Sequence, residues 1–406
     1  MACLATMRSM PMPSAFRLAA ARSSLRSRQW PLARGHSTGA EPADALVRLE
    51  TSGAMARLTL CRPKKLNSLS LPMISQLREK YDGLAPSVRC ILLAGEGRAL
   101  CAGGDVAEVR EGVLQGNSAP ADFFYDEYAL DYQIATLHER KSVLQVALWD
   151  GIVMGGGVGL SIHSPIRIAT EKTLFAMPET GIGLFPDVGT TWMLSRISAG
   201  ERVGVFLGIT GHRLGAADCL RAGLATHYCP SERLGAVEEG LRALGDGAAD
   251  LEAASAAVMA AAGGAEPSES KAVLGANAAT IERCFAAESA EEILGRLEAE
   301  SADWATGVAA TLRQKSPTSV KLSLEGIRRH RSVSLKEAFT MEYRMAQWCM
   351  RPQPHSDFCE GIRSVLVDKD NAPRWEPSRL EDVTPERVEG FFAPLPSSHA
   401  RGELIL

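Results

Sequence analysis

Two glycine-dense turns, Ala102-Gly103-Gly104-Asp105 and Gly151 to Gly157, follow largely apolar runs at Val88–Leu93 and Val143–Trp149. A short apolar run bounded by turn residues reads as a buried strand, and such strands leading into helices build layered α/β folds. Glycine at the junction lets the backbone approach a ligand, and a following helix points its first N–H groups at that ligand. Two N–H groups converging on one oxygen form an oxyanion hole, which suits a carbonyl that gains charge during reaction. Tight packing at a strand–helix turn explains the same glycines, so the turns alone leave both readings open. A dinucleotide-binding fingerprint fits less well, because Gly155-Gly156-Gly157-Val158-Gly159-Leu160 fails G-x-G-x-x-G at its last position.

The surrounding pattern agrees with α/β layering. Two alternating segments around a Ser-Gly turn, from about Ala45 to Cys61, predict a β-hairpin ended by Arg62-Pro63. Ser70 and Pro72 predict the start of a helix carrying Ile74 and Leu77. Helical spacing runs from Phe123 to Leu137 and from Val188 to Ile197, with short strands expected at Ile166–Ala169 and Leu174–Met177. After Pro230 the composition turns to Ala, Glu, Leu and Arg, predicting mainly helices over 231–390. One begins at Ser289 with Glu292 placed for a capping box. The Gly/Ala-rich stretch near 245–265 reads as a poor helix or a linker.

Charge and cysteine usage narrow the function. The 406 residues hold 44 Lys and Arg against 48 Asp and Glu. Six arginines (Arg8, Arg17, Arg22, Arg26, Arg28, Arg34) lie before the first acid, Glu41. That acid-free, serine-bearing segment, residues 1–40, has the composition of a mitochondrial transit peptide. Without those six arginines the chain carries 38 basic and 48 acidic residues, a net −10, so no general attraction to nucleic acid is expected. No stretch is long and apolar enough to predict a membrane span. Nine cysteines without a C-x-x-C point to a reducing compartment rather than a disulfide framework. Eight histidines without ligand spacing imply no metal.

Three acids stand near these turns. Glu179 follows a short strand, where a solvated loop carboxylate is the ordinary reading. Asp187 precedes a predicted helix and reads equally as an N-cap. Glu127 falls on the helix after Phe123-Phe124, where pattern alone predicts a solvated face. A carboxylate beside an oxyanion hole can activate water or attack an acyl carbon, but spacing does not choose among the three.

Four blocks resolve the choice by resemblance. Arg62-Pro63-Lys64-Lys65-Leu66-Asn67-Ser68-Leu69, Cys101-Ala102-Gly103-Gly104-Asp105, Gly151 to Leu160 and Phe175 to Asp187, in that order, resemble the crotonase (enoyl-CoA hydratase/isomerase) superfamily over residues 45–230. Lys315 to Ser319, Met341-Glu342-Tyr343-Arg344 and Phe358 to Arg363 resemble its 3-hydroxyisobutyryl-CoA hydrolase branch, extending the likeness to about residue 375. The resemblance implies a spiral core of stacked ββα turns, with two sheets nearly at right angles, followed by C-terminal helices.

It also implies roles. Gly104 and Gly156 would supply the oxyanion N–H groups, while Lys64, Lys65, Leu66 and Ala102, with Gly104, would hold the CoA portion of an acyl-CoA substrate. Glu179 would be the catalytic carboxylate, with Asp187 and Glu127 in the substrate pocket and Asp187 accepting a bond from a substrate 3-hydroxyl. Asp105 is expected to cap a helix. No cofactor beyond the CoA of the substrate is implied. Superfamily hydratases carry a glutamate three residues after the second oxyanion glycine; here that position is Gly159. The implied activity is therefore hydroxyacyl-CoA thioester hydrolysis in the mitochondrial matrix. An enoyl-CoA hydratase or isomerase and a catalytically silent scaffold subunit stand as alternatives. Many superfamily members assemble into trimers or hexamers, and no residue here fixes the state of this chain.

Overall fold

The computed structural model describes residues 45–351 and 356–406; the expected transit segment, 1–40, lies outside them. Strands β1 (Val47–Ser52) and β2 (Met55–Leu60) form the expected hairpin, with Ser52 opposite Met55 across a two-residue turn. β2 then pairs in parallel with β3 (Cys90–Gly95). The remaining strands are β4 (Ala99–Cys101), β5 (Leu144–Trp149), β6 (Ile152–Met154), β7 (Ile166–Ala169), β8 (Leu174–Ala176) and β9 (His227–Tyr228). They divide into a six-stranded sheet, β1-β2-β3-β5-β7-β9, and a three-stranded sheet, β4-β6-β8.

Of the small sheet, pattern alone predicts only β8, at Leu174–Met177. β4 and β6 lie at or inside what reads as glycine turn, because a three-residue strand is too short to display a period of two. Its pairings are all parallel, so the carboxyl ends of its strands share one edge.

The apolar runs in the large sheet are covered on both faces. Along β3 and β5, Cys90, Leu92, Leu144, Val146 and Leu148 belong to one core cluster, while Ile91, Leu93, Ala147 and Trp149 belong to the other. The first cluster is closed by helices Leu234–Ala243 and Leu251–Ala262 through Val237, Leu241, Ala254 and Val258. Most of the 245–265 stretch is thus helix, Leu251–Ala262, packed on the sheet, not a linker. Alanine is the strongest helix former, and the Asp250 side chain caps the first turn by accepting from the Ala253 N–H. Ser289 likewise accepts from the Glu292 N–H, but Glu292 reaches back to Glu288 rather than to Ser289. The reciprocal capping box occurs instead at Ser334 and Glu337.

Helix Leu71–Asp82 begins after Ser70 as expected, although the serine side chain makes no cap bond. The main cluster runs from Val47 to Leu404, so the C-terminal helices and the strands share one core. Among the described residues no helix is long and apolar enough to cross a membrane.

The turn between β2 and the first helix is fixed by one buried amide. Leu66 and Asn67 both have positive φ, 53° and 57°. Asn67 Nδ2 donates to the Glu96 and Ala99 carbonyls at 3.0 and 2.9 Å, and its Oδ1 accepts the Arg62 N–H at 2.8 Å. Asparagine tolerates this left-handed conformation better than most residues. Replacing Asn67 by Ala strands these three backbone groups and is expected to cost about 2 kcal/mol or more. Urea unfolding of the two proteins measures the difference; an unchanged midpoint would contradict it.

Candidate active site

The parallel order β4-β6-β8 brings three loops to one edge. β4 leads into Ala102-Gly103-Gly104, β6 into Gly155-Gly156, and β8 into Met177-Pro178-Glu179. These loops, with Val106, Phe123, Phe124, Glu127, Ile182, Leu184 and Asp187, enclose a cavity of about 90 Å³. Gly104, Gly156, Ala102, Glu127, Glu179 and Asp187 are therefore gathered in one place.

The first loop is anchored by parallel bonding to Leu69: the Leu69 N–H donates to the Gly103 carbonyl at 2.8 Å, and the Asp105 N–H donates to the Leu69 carbonyl at 2.7 Å. This pattern skips the Gly104 N–H. Among the described residues, neither that group nor the Gly156 N–H donates to another backbone carbonyl. Gly156 also has no room for a side chain, since a Cβ would collide with Glu127 Oε1 and lie 2.9 Å from Leu69 Cδ1.

Lys64 and Lys65 are exposed on the 3₁₀ turn Pro63–Lys65 and do not line the cavity. The Ala102 N–H donates to the Leu66 carbonyl at 3.0 Å, which ties that turn to the glycine loop. Asp105 stands at the N-cap position of helix Val106–Gln115 but makes no cap bond. Its carboxylate instead takes the Arg62 guanidinium at 2.9 Å, which corrects the expected capping role.

All three acids are buried, contrary to the solvated readings of Glu127 and Glu179. Glu179 opens a 3₁₀ turn, Glu179–Ile182, and its Oε1 lies 3.0 Å from where a Gly155 Cβ would stand. Its Oε2 has no hydrogen-bond partner among the described residues. Glu127 is covered because helix Ala119–Ala135 packs against several neighbours, including helix Gly156–Ile162. Asp187 does not cap the following helix. That helix is Thr190–Leu194, later and shorter than expected, with Gly189 at its N-cap. Val188 and Gly189 both have positive φ, 57° and 78°, so the backbone turns before helix begins. The Asp187 side chain instead accepts a hydrogen bond from the Tyr128 hydroxyl at 2.7 Å.

Crowding buried carboxyls raises their pKa values. Burial is the largest cause in each case. It lifts Glu179 well above the carboxylate range, with the Asp187 charge adding to it and the Lys315 charge opposing it. Glu127 is raised by burial, then by the charges of Asp187 and Glu179. Burial pushes Asp187 up to about 6, against the Tyr128 hydrogen bond that favours its ionised form. The site therefore pairs two free N–H donors with carboxyls whose pKa values burial raises. That arrangement can stabilise an oxyanion and move a proton.

Two further residues escape sequence reasoning. Tyr128 adjoins Glu127, and nothing in its position announces a bond to Asp187. Asp131 lies four residues after Glu127 on the same helix face, a spacing that could have marked it. It is fully buried, and neither of its oxygens has a hydrogen-bond partner among the described residues. A Cβ at Gly159 would come within 2.6 Å of Asp131 Oδ2 and 2.7 Å of Val188 Cβ. The position that carries a glutamate in hydratases is thus walled off.

The enoyl-CoA hydratase/isomerase family profile matches residues 55–392. A protein of Arabidopsis thaliana named probable 3-hydroxyisobutyryl-CoA hydrolase 3 is 42% identical, over 85% of this chain and 91% of its own length. The mitochondrial 3-hydroxyisobutyryl-CoA hydrolase of Gallus gallus is 42% identical, over 86% of this chain and 89% of its own. Among solved structures, a carnitinyl-CoA dehydratase from Mycobacterium thermoresistibile superposes with TM-score 0.77 at 35% identity, covering 89% of this chain and 98% of that one. An enoyl-CoA hydratase from Rhodobacter sphaeroides gives 0.74 at 34%, covering 89% and 100%.

Asp187 sets a pH dependence of stability. Its folded pKa of about 6 exceeds the unfolded value near 4, so folding takes up a proton between them. Its contribution is fully present below about pH 4 and is lost as pH rises through 6. Asp187→Asn keeps an acceptor for Tyr128 and removes that loss. It is expected to exceed the parent protein in unfolding free energy at pH 8 by up to about 3 kcal/mol, and so to melt higher there, and to melt at the same temperature at pH 4. An equal gap at both pH values, read by calorimetry, would rule this out.

Proposed function

This chain belongs to the enoyl-CoA hydratase/isomerase family, and from that premise we propose that it hydrolyses 3-hydroxyisobutyryl-CoA to the free hydroxyacid and CoA, with 3-hydroxypropionyl-CoA as a second substrate. Relatives sharing about two-fifths of their residues over most of both chains carry the name of the first reaction. The observation that carries the reading is the closure of the space beside Gly159 by Asp131 and Val188. A hydratase divides the handling of its water between two glutamates, and here one of those positions cannot be filled. Glu179 is left as the carboxyl at the other of these positions, lining the cavity together with Gly104 and Gly156. The solved dehydratase and hydratase relatives share the fold, and in this reading the missing glutamate at residue 159 sets this chain apart from hydratase chemistry.

In this reading the thioester oxygen sits between the N–H groups of Gly104 and Gly156, which stabilise the charge it gains on attack. Glu179 takes a proton from water as that water adds to the carbonyl carbon, then returns it to the CoA sulfur as the C–S bond breaks. In the covalent variant Glu179 itself attacks, expels the thiolate and forms a mixed anhydride that water opens. Both routes consume one water and release one acid and one thiol. Asp187, oriented by Tyr128, accepts the substrate 3-hydroxyl, and Glu127 lines the acyl pocket. A small cavity favours a short acyl group. The Lys64–Leu66 turn and Ala102 hold the CoA portion. The arginine-rich, acid-free residues 1–40 and the mitochondrial names of several relatives support import, and we place the reaction in the matrix.

Thiol release from 3-hydroxyisobutyryl-CoA, beside isobutyryl-CoA and crotonyl-CoA, tests the assignment. Fast release from the hydroxylated thioester, weak release from isobutyryl-CoA and no loss of crotonyl absorbance are expected. Glu179→Gln is expected to lower turnover by about a thousandfold or more with unchanged circular dichroism. Hydration of crotonyl-CoA without thiol release would overturn the reading in favour of a hydratase.

A further inference from the structure

The turn that carries Asp187 is strained and is held from behind. Val188 is β-branched, buried and left-handed (φ 57°), a conformation that costs about 1–3 kcal/mol and persists only where its surroundings enforce it. Behind the turn stands Glu342, fully buried on helix Leu335–Cys349. Its Oε2 accepts the Gly189 N–H at 2.6 Å, and its Oε1 accepts the Thr191 N–H at 3.2 Å and bonds the Thr191 hydroxyl. His330 Nδ1 lies 2.6 Å from that hydroxyl. One carboxyl thus gathers three donors within four residues of Asp187, yet Glu342 does not line the cavity. The same helix also steadies Asp187 from its other side. Phe339 and Tyr343 pack against Tyr128 at ring distances of 6.0 and 6.4 Å.

We propose that Glu342 is a positioning residue: by accepting from Gly189 and Thr191 it fixes the left-handed turn at Val188. That turn aims Asp187 at the cavity and presses Val188 into the space beside Gly159. Glu342 acts through these two residues and touches no reacting atom. The catalytic part of this inference rests on the role of Asp187 proposed above; the conformational part does not.

Glu342→Gln preserves volume but sets an amide N–H₂ against one of the donors it must satisfy. A crystal structure of this variant is expected to show Val188 at negative φ and Asp187 beyond reach of the Tyr128 hydroxyl. An unaltered turn overturns the proposal, whatever reaction the protein performs. In kinetics, Glu342→Gln is expected to lower kcat/KM for the hydroxylated thioester by about 100-fold. It should have little further effect in an Asp187→Asn background, because it acts through that residue. A purely structural role would multiply the two losses instead, which overturns the positioning role. Asparagine tolerates positive φ, so Val188→Asn in the Glu342→Gln background is expected to recover activity in part. A parent enzyme that releases no thiol refutes the hydrolase reading and leaves the crystal structure to decide the role of Glu342.

Discussion

Parallel pairing of three very short strands is the constraint on which the site depends. β4, β6 and β8 contribute only three residues each, and alone could not hold a sheet together. Because they run the same way, their carboxyl ends meet at one edge, so three loops distant in sequence deliver two N–H donors and one carboxyl to a single cavity. Antiparallel pairing would have sent neighbouring loops to opposite ends. The large sheet, buried on both faces, supplies the frame against which so small a sheet can form.

Electrostatics follows from that placement. Glu127, Glu179 and Asp187 are each buried, which raises the pKa of each; the Asp187 charge further disfavours ionisation of the other two, and the Glu179 charge that of Glu127. The cluster is unfavourable for folding at neutral pH and useful for chemistry, since a carboxyl with a raised pKa binds and releases protons where the enzyme works. Tyr128 and Lys315 moderate the cost by favouring the charged forms of Asp187 and Glu179. A strand end places Glu179, helix Ala119–Ala135 places Glu127, and helices beyond residue 230 set part of their surroundings.

Those helices are part of the site's architecture rather than an appendage. Ser316 donates its N–H to the Thr180 carbonyl at 3.0 Å, next to Glu179, while Glu342 binds the turn after Asp187. Both belong to sequence blocks, Lys315–Ser319 and Met341–Arg344, whose likeness to the hydrolase branch is evident without their purpose being so. The geometry gives each block a backbone group to hold.

By itself the sequence determined the layering, the hairpin, the buried runs of β3 and β5, the two glycine turns and, through the four resembling blocks, Gly104, Gly156, Glu179 and Asp187 among the residues that meet in the cavity. These are local matters: a period of two, a helix start, a glycine where the backbone must turn or come close. The tertiary structure alone decided that Glu127 and Glu179 are buried, that Asp187 faces Tyr128 instead of capping a helix, and that Asp131 and Val188 close the space at Gly159. It also decided that a carboxyl 151 residues away binds Thr191. Burial and hydrogen-bond partnership are set by which elements pack together. A helix pattern reports that a face exists, not what comes to cover it.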